Sequence, residues 1–298
     1  MDWGELVMIS DFWLSLDASE REHRIAICDF AIKGRLKDFD AITYLYSVQV
    51  ITAVEAQALK HPEHSTPNSK KNLQKEADLF PDSPYLSPEQ CETLSLSSSW
   101  QVRSRIARNL VTPASVLESM SLDSDPNVLI GVSANPNTPV HTIFELLNDN
   151  YADLSARTNL ALPSDFLTEK IQDKSLGAIR FTFASNWSAS KLDCTLLFQD
   201  FNLRHSESKL ISSKFEQVLK SLSVNPFIGA NYFDAIISLT LKEIDKAFDA
   251  GKYRKSEHLE EILQNLAGNP GLPSKQWQRL LDDWTIPDHR TKRLVPNW

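Results

Sequence analysis

Four stretches of the chain end alike: V-R-S-R-I-A-R-N at Asn109, V-L-I-G-V-S-A-N at Asn135, I-R-F-T-F-A-S-N at Asn186 and I-L-Q-N-L-A-G-N at Asn269. After three of them a helix-starting proline follows four positions on: Pro113, Pro139 and Pro273. Asn159 with Pro163 is a looser copy, and Asn225-Pro226 another. Self-similarity at a period of about 20–50 residues marks a stacked-repeat architecture. It constrains the fold more than any local clue, because each unit must bury its apolar side on its neighbours. Stacks of this kind present long surfaces for other molecules to lie on.

The rest of the composition agrees with helices. The chain has 298 residues but only 8 glycines, which disfavours Gly-rich phosphate loops and turn-dense β architectures. Hydrophobic residues at 42% and charged residues at 23% exclude wholesale disorder. A net charge of −8 works against nonspecific binding to nucleic acid or an anionic membrane. Cys28, Cys91 and Cys194 are far apart and odd in number, giving neither a disulfide framework nor a metal pattern, so a reducing compartment is expected. The opening M-D-W-G-E carries acids where a secretory signal needs positive charge, and no run of 18 apolar residues occurs. The expectation is a cytoplasmic protein with no membrane partner.

Three helices are predicted in an N-terminal subdomain, residues 1–60: Asp17 to about Lys33 stopped by Gly34, about Asp38 to Tyr46, and one from Thr52, where T-A-V-E is a capping box. Residues 61–87, rich in proline and small polar residues, read as a linker or loop unable to bury a core. The repeat domain, 88–298, opens at Pro88, which precedes Pro113 by 25 residues; Pro139 and Pro163 follow at intervals of 26 and 24. Each unit reads as two short helices. Thr112-Pro113 and Thr138-Pro139 place a hydroxyl cap before a proline at the first helical position, and Asp125-Pro126 repeats the device for the second helix. Val116, Leu117, Met120, Ile143, Leu146 and Leu147 should face the stack from first helices. Val102, Ile106, Val128, Val132, Ile179 and Phe183 should do so from second helices.

The segments V-R-S-R-I-A-R-N-L-V-T-P, from Val102 to Pro113, and V-L-I-G-V-S-A-N-P-N-T-P, from Val128 to Pro139, resemble the leucine-rich repeat variant family. That resemblance implies an all-α, right-handed solenoid of short helix pairs with some 3-10 helices, close to HEAT repeats, and extends over residues 88–190. Further on, Asn186 to Asn225 is 39 residues and Asn225 to Asn269 is 44, so longer HEAT-like helix pairs are expected over 191–298. A capping helix carrying Trp277 and Trp284 should close the stack.

The repeated asparagines, Asn109, Asn135, Asn159, Asn186, Asn225 and Asn269, are read as structural turn residues, since Asn tolerates left-handed angles and bonds backbone groups two residues on. Pro113, Pro139, Pro163 and Pro273 belong to the same turns. Asn135→Ala is expected to cost on the order of 1 kcal/mol or more through lost turn bonds. Trp100, Arg103, Arg105 and Arg108 combine an aromatic with three guanidiniums, a set able to clamp phosphates or stack a base. Pairing of those arginines with acidic turns such as Asp123 and Asp125 is the stronger expectation. Trp277 and Trp284, with Trp298, are candidates for a docking surface. The Lys70, Lys71, Lys75 and Lys252, Arg254, Lys255 groups read as solvated surface, and His61-P-E-His64 as a poor metal site. No G-x-S-x-G, H-E-x-x-H, Walker or dinucleotide motif occurs. The reading is a non-catalytic scaffold without cofactor or metal that binds another protein, as a subunit or adaptor of a bacterial assembly by family analogy. A nucleic-acid-binding helical-repeat protein, such as a HEAT-like DNA glycosylase, is the alternative.

Overall fold

A computed structural model describes residues 16–33, 39–62, 81–202 and 210–283. Among them every regular element is helical, with sixteen α-helices. The chain forms two compact units, Met1–Ser164 and Asp165–Trp298, so the division falls inside the stretch that reads as regular repeats.

The first unit opens with α1 (Ala18–Lys33), α2 (Phe39–Ser47) and α3 (Ala53–Lys60). Their bounds follow the expected ones closely, and Thr52 and Glu55 form the reciprocal capping box. Cys28, Ala41, Ile42 and Leu45 are buried, and Arg24 lies among them, bonded to Glu20 and to the Tyr44 hydroxyl. These helices share a core with the repeats: Ile42, Tyr46 and Ala56 pack with Leu110. Buried Gln57 fastens the join, donating to Asp82 O and accepting from the Leu110 N–H.

Repeats then follow as α4 (Pro88–Ser95), α5 (Trp100–Arg108), α6 (Ala114–Met120), α7 (Pro126–Ala134), α8 (Val140–Leu146) and α9 (Asp153–Arg157). First helices α4 and α6 pack together, and second helices α5, α7 and α9 pack in succession. Val116, Leu117, Met120, Ile106, Val128, Val132, Ile143 and Leu146 are buried as expected; Val102 and Leu147 are half-buried. Asp125 caps α7 ahead of Pro126. The other proline device differs from expectation. Pro113 and Pro139 are themselves the cap residues, with no side-chain cap. The Thr112 and Thr138 hydroxyls turn backwards instead, donating to Ile106 O at 2.7 Å and Val132 O at 2.6 Å. Each threonine thus satisfies a carbonyl at the end of the preceding helix rather than an N–H at the start of the next.

The asparagines bond one turn to another. Both amide hydrogens of Asn135 go to the preceding repeat, to Ala107 O and Asn109 O, each at 2.9 Å. Its oxygen accepts the Asn137 N–H of its own turn. Asn159 repeats the pattern on Ser133 O and Asn135 O, and Asn109 does so on Pro81 O and Ser83 O. The first rung therefore lies in the stretch read as linker. Residues 81–84 and 86 are buried, and Ser83, 26 residues before Asn109, accepts the Tyr85 N–H as an asparagine would. The backbone over 81–87 is loop, but its proline-rich composition is no bar to burial, because a repeat turn bonds its carbonyls to the next rung.

In the second unit run α10 (Ser164–Gln172), a 3-10 turn (Lys174–Leu176), α11 (Ile179–Ala184), α12 (Lys191–Asn202), α13 (Ser213–Ser223), α14 (Ala230–Asp249), α15 (Tyr253–Ala267) and α16 (Ser274–Asp283). The ladder recurs, with Asn225 donating to Ala184 O and Asn186 O, and Asn269 to Ser223 O. Asn186 accepts the Ser188 N–H of its own turn. α11 packs on α13 and α13 on α15. Ile179, expected in the stack, is 46% exposed at the start of α11, while Phe181 and Phe183 are buried. Pro163 and Pro273 immediately precede α10 and α16. At Gly271 a Cβ would meet Pro226 O at 1.9 Å, so only glycine allows the last turn to seat on the one before.

Candidate functional site

The arginines of α5 do not form an open cationic patch. Arg103 bonds Asp123 bidentately, at 2.6 and 3.0 Å, and donates to Ser97 O at 2.8 Å. That guanidinium holds the Asp123 carboxyl below the usual range, helped by the Asp125 N–H. Arg105 pairs with Asp82, and Arg108 folds back onto the Ser104 hydroxyl and carbonyl, its pKa lowered by burial. Arg180, at the equivalent repeat position, repeats the role of Arg103, bonding Ile171 O and Asp200. Arg103 and Arg180 thus tie one helix pair to the next, in a geometry that lysine could not copy, while Arg108 stays on its own helix. Trp100 is 41% exposed at the start of α5. Of the set Trp100, Arg103, Arg105 and Arg108, the three guanidiniums have protein partners, although Arg105 is as exposed as the indole.

Trp277 is half-buried, and its indole N–H donates to Ala267 O at 3.3 Å. Ala267 stands two residues before Asn269, where the next asparagine of the ladder would bond, so Trp277 substitutes for a missing rung. Trp284 and Trp298 lie outside the described residues, as do His64, Lys70, Lys71 and Lys75. Lys255 pairs with Glu216. Among the described residues no group of three or more His, Cys, Asp or Glu gathers as a metal site. No described helix is long and apolar enough to cross a membrane.

The first unit also carries an open groove of about 1040 Å³. It runs along α4 and α6 and over the start of α8, with Val111, Asn137 and Ala161 from the intervening turns and Tyr46 from α2. The repeat makes it: Glu89, Ser115 and His141 are spaced by 26 residues, so stacking sets them side by side on one face. Val54 and Leu96 present apolar side chains to it, 43% and 81% exposed. Its lining is held rigid: Asn137 donates to Leu110 O and Thr112 O, and its oxygen accepts from the Tyr46 hydroxyl at 2.5 Å. Burial pushes that phenol up to about 12. The groove hydroxyls serve the backbone, Ser119 donating to Ser115 O and Ser95 to Glu92 O, and His141 faces Glu118. None of these bonds joins a nucleophile to a base.

Residue patterns did not single out this groove. Its signal was the row of exposed first-helix positions at the repeat spacing, visible only once the stacking is known. In comparison with family models, curated proteins and solved structures, the chain matches none.

Proposed function

We propose that the chain is a helical-repeat scaffold, a solenoid of the leucine-rich repeat variant and HEAT type, with no chemistry of its own, and that its first unit binds another protein along the groove. The observation that carries this reading is the groove itself: a rigid, repeat-built surface with exposed Leu96 and Val54 and no nucleophile–base pair. Exposed apolar side chains beside polar neighbours suit a protein partner. The arginines that nucleic acid would need are engaged in holding the stack. Three buried free thiols fit a reducing compartment such as the cytoplasm.

The test is affinity purification of the tagged chain from its native host beside a Leu96→Asp, Val54→Asp variant. The expected result is a stoichiometric protein recovered with the native chain and lost with the variant. Equal recovery by both, no protein at all, or salt-sensitive retention of duplex DNA would overturn the proposal.

A further inference from the structure

Resting on the reading of the groove as a protein-binding surface, we propose that its occupant is an extended stretch of a partner chain carrying lysine or arginine between apolar residues. Charge comes first. The residues lining the groove include two carboxylates, Glu89 and Glu92, and no lysine or arginine. Both are exposed on α4, and among the described residues neither stands in an ion pair. Glu89 is held ionised, since its backbone N–H and the Ser87 hydroxyl lower its pKa. The imidazole at the far end of the groove, His141, already faces the carboxylate of Glu118 at 2.9 Å. One end of the groove therefore presents two carboxylates with no cation among the residues that line it, a charge that a basic ligand would complement.

Shape and polarity argue for an extended ligand. Three successive first helices, taken at about 8–10 Å spacing, make a track of about 20 Å, which an extended chain covers with about six residues. Along it Ser95, Ser115 and Ser119 offer hydroxyl oxygens to peptide groups, and only an extended segment has peptide groups to spare, because a helix satisfies its own. Leu96, at the end of the helix that carries Glu89 and Glu92, and Val54, elsewhere in the lining, would take the apolar neighbours of the basic side chain.

The experiment selects random twelve-residue displayed peptides on the full chain and measures synthetic versions of the winners by fluorescence anisotropy. The expected winners hold a lysine or arginine beside apolar residues. Their binding should weaken about fivefold in a Glu89→Gln, Glu92→Gln variant, weaken further with added salt, and vanish in Leu96→Asp. Winners without basic residues, indifferent to the glutamine pair yet lost in Leu96→Asp, would overturn the ligand class and leave the groove standing as a protein-binding surface. Winners indifferent to Leu96→Asp, or no winners, would overturn the inference and the groove reading together. The substituted side chains are exposed, so circular dichroism of each variant should match the native chain.

Discussion

The Asn135 side chain has two N–H groups and gives both to carbonyls of another repeat, while its oxygen serves its own turn. It is almost fully buried, so no water replaces those bonds. Removing the side chain takes a partner from the buried Ala107 carbonyl and from the Asn137 N–H, and leaves the Asn109 carbonyl with the Thr112 N–H alone. The expected cost of Asn135→Ala is therefore about 2–4 kcal/mol, more than a turn alone explains. Asn135→Asp separates the two accounts. Aspartate accepts the Asn137 N–H as well as asparagine does, so a purely local turn would tolerate it. In the ladder it sets a carboxylate against two carbonyl oxygens, and the loss should equal or exceed that of alanine, read as the urea midpoint at pH 7. The recurrence of asparagine was legible in the sequence, and so was its service to its own turn. Its second role was not, because which carbonyls lie within reach depends on how repeats stack. Residues 81–86 were misjudged for the same reason: Ser83 keeps the 26-residue register without the asparagine that would have announced it.

At the scale of elements, α5 and α7 approach closely because Gly131 faces Ala107. A Cβ on Gly131 would stand 2.8 Å from the Ala107 Cβ and 3.2 Å from Ser104 O. Helix propensity alone favours Gly131→Ala by about 1 kcal/mol. The contact reverses the sign: the two helices must separate, straining the bond from the Ser104 hydroxyl to Asn127 O. A net loss of about 1–3 kcal/mol is expected from such overpacking, seen as a lower melting temperature. Adding Ala107→Gly should recover part of it, since the nearer clash is then gone; no recovery would mean that Ser104 O sets the spacing. Helix existence was readable from apolar spacing and caps, as Thr52 with Glu55 and Asp125 with Pro126 show. The direction of Thr112 and Thr138 was not, because a threonine between two helices can cap either, and only the geometry of the turn selects the earlier one.

Over the whole molecule, burial of reactive groups makes its opening measurable. Cys28, Cys91 and Cys194 are 0–2% exposed, and burial pushes the Cys91 thiol up to about 11. Thiol reagents should therefore label none of the three in the native chain at pH 8 and all three in urea; fast native labelling would contradict the packing of α1, α4 and α12. The same burial shapes stability with pH. Lys60, half-buried at the end of α3, is pushed down to about 8 by desolvation against the opposing pull of Asp40. Unfolded, a lysine titrates near 10.4. Between those values the unfolded chain holds the extra proton, so the Lys60 contribution raises stability as pH climbs from about 8 to about 10. Cys91 acts the other way, its folded value lying above its unfolded one, and so do Tyr44 and Tyr46, both pushed up to about 12 by burial. Their contributions are complete at neutral pH and are lost as pH rises through 9 to 12. Lys60→Met isolates the first effect. It should stabilise the chain at pH 7, where the native lysine is charged at a burial cost, and the gap in urea midpoint between variant and native chain should close by pH 10. A gap that stays constant from pH 7 to 10 would show that Lys60 keeps its charge in water at the end of α3.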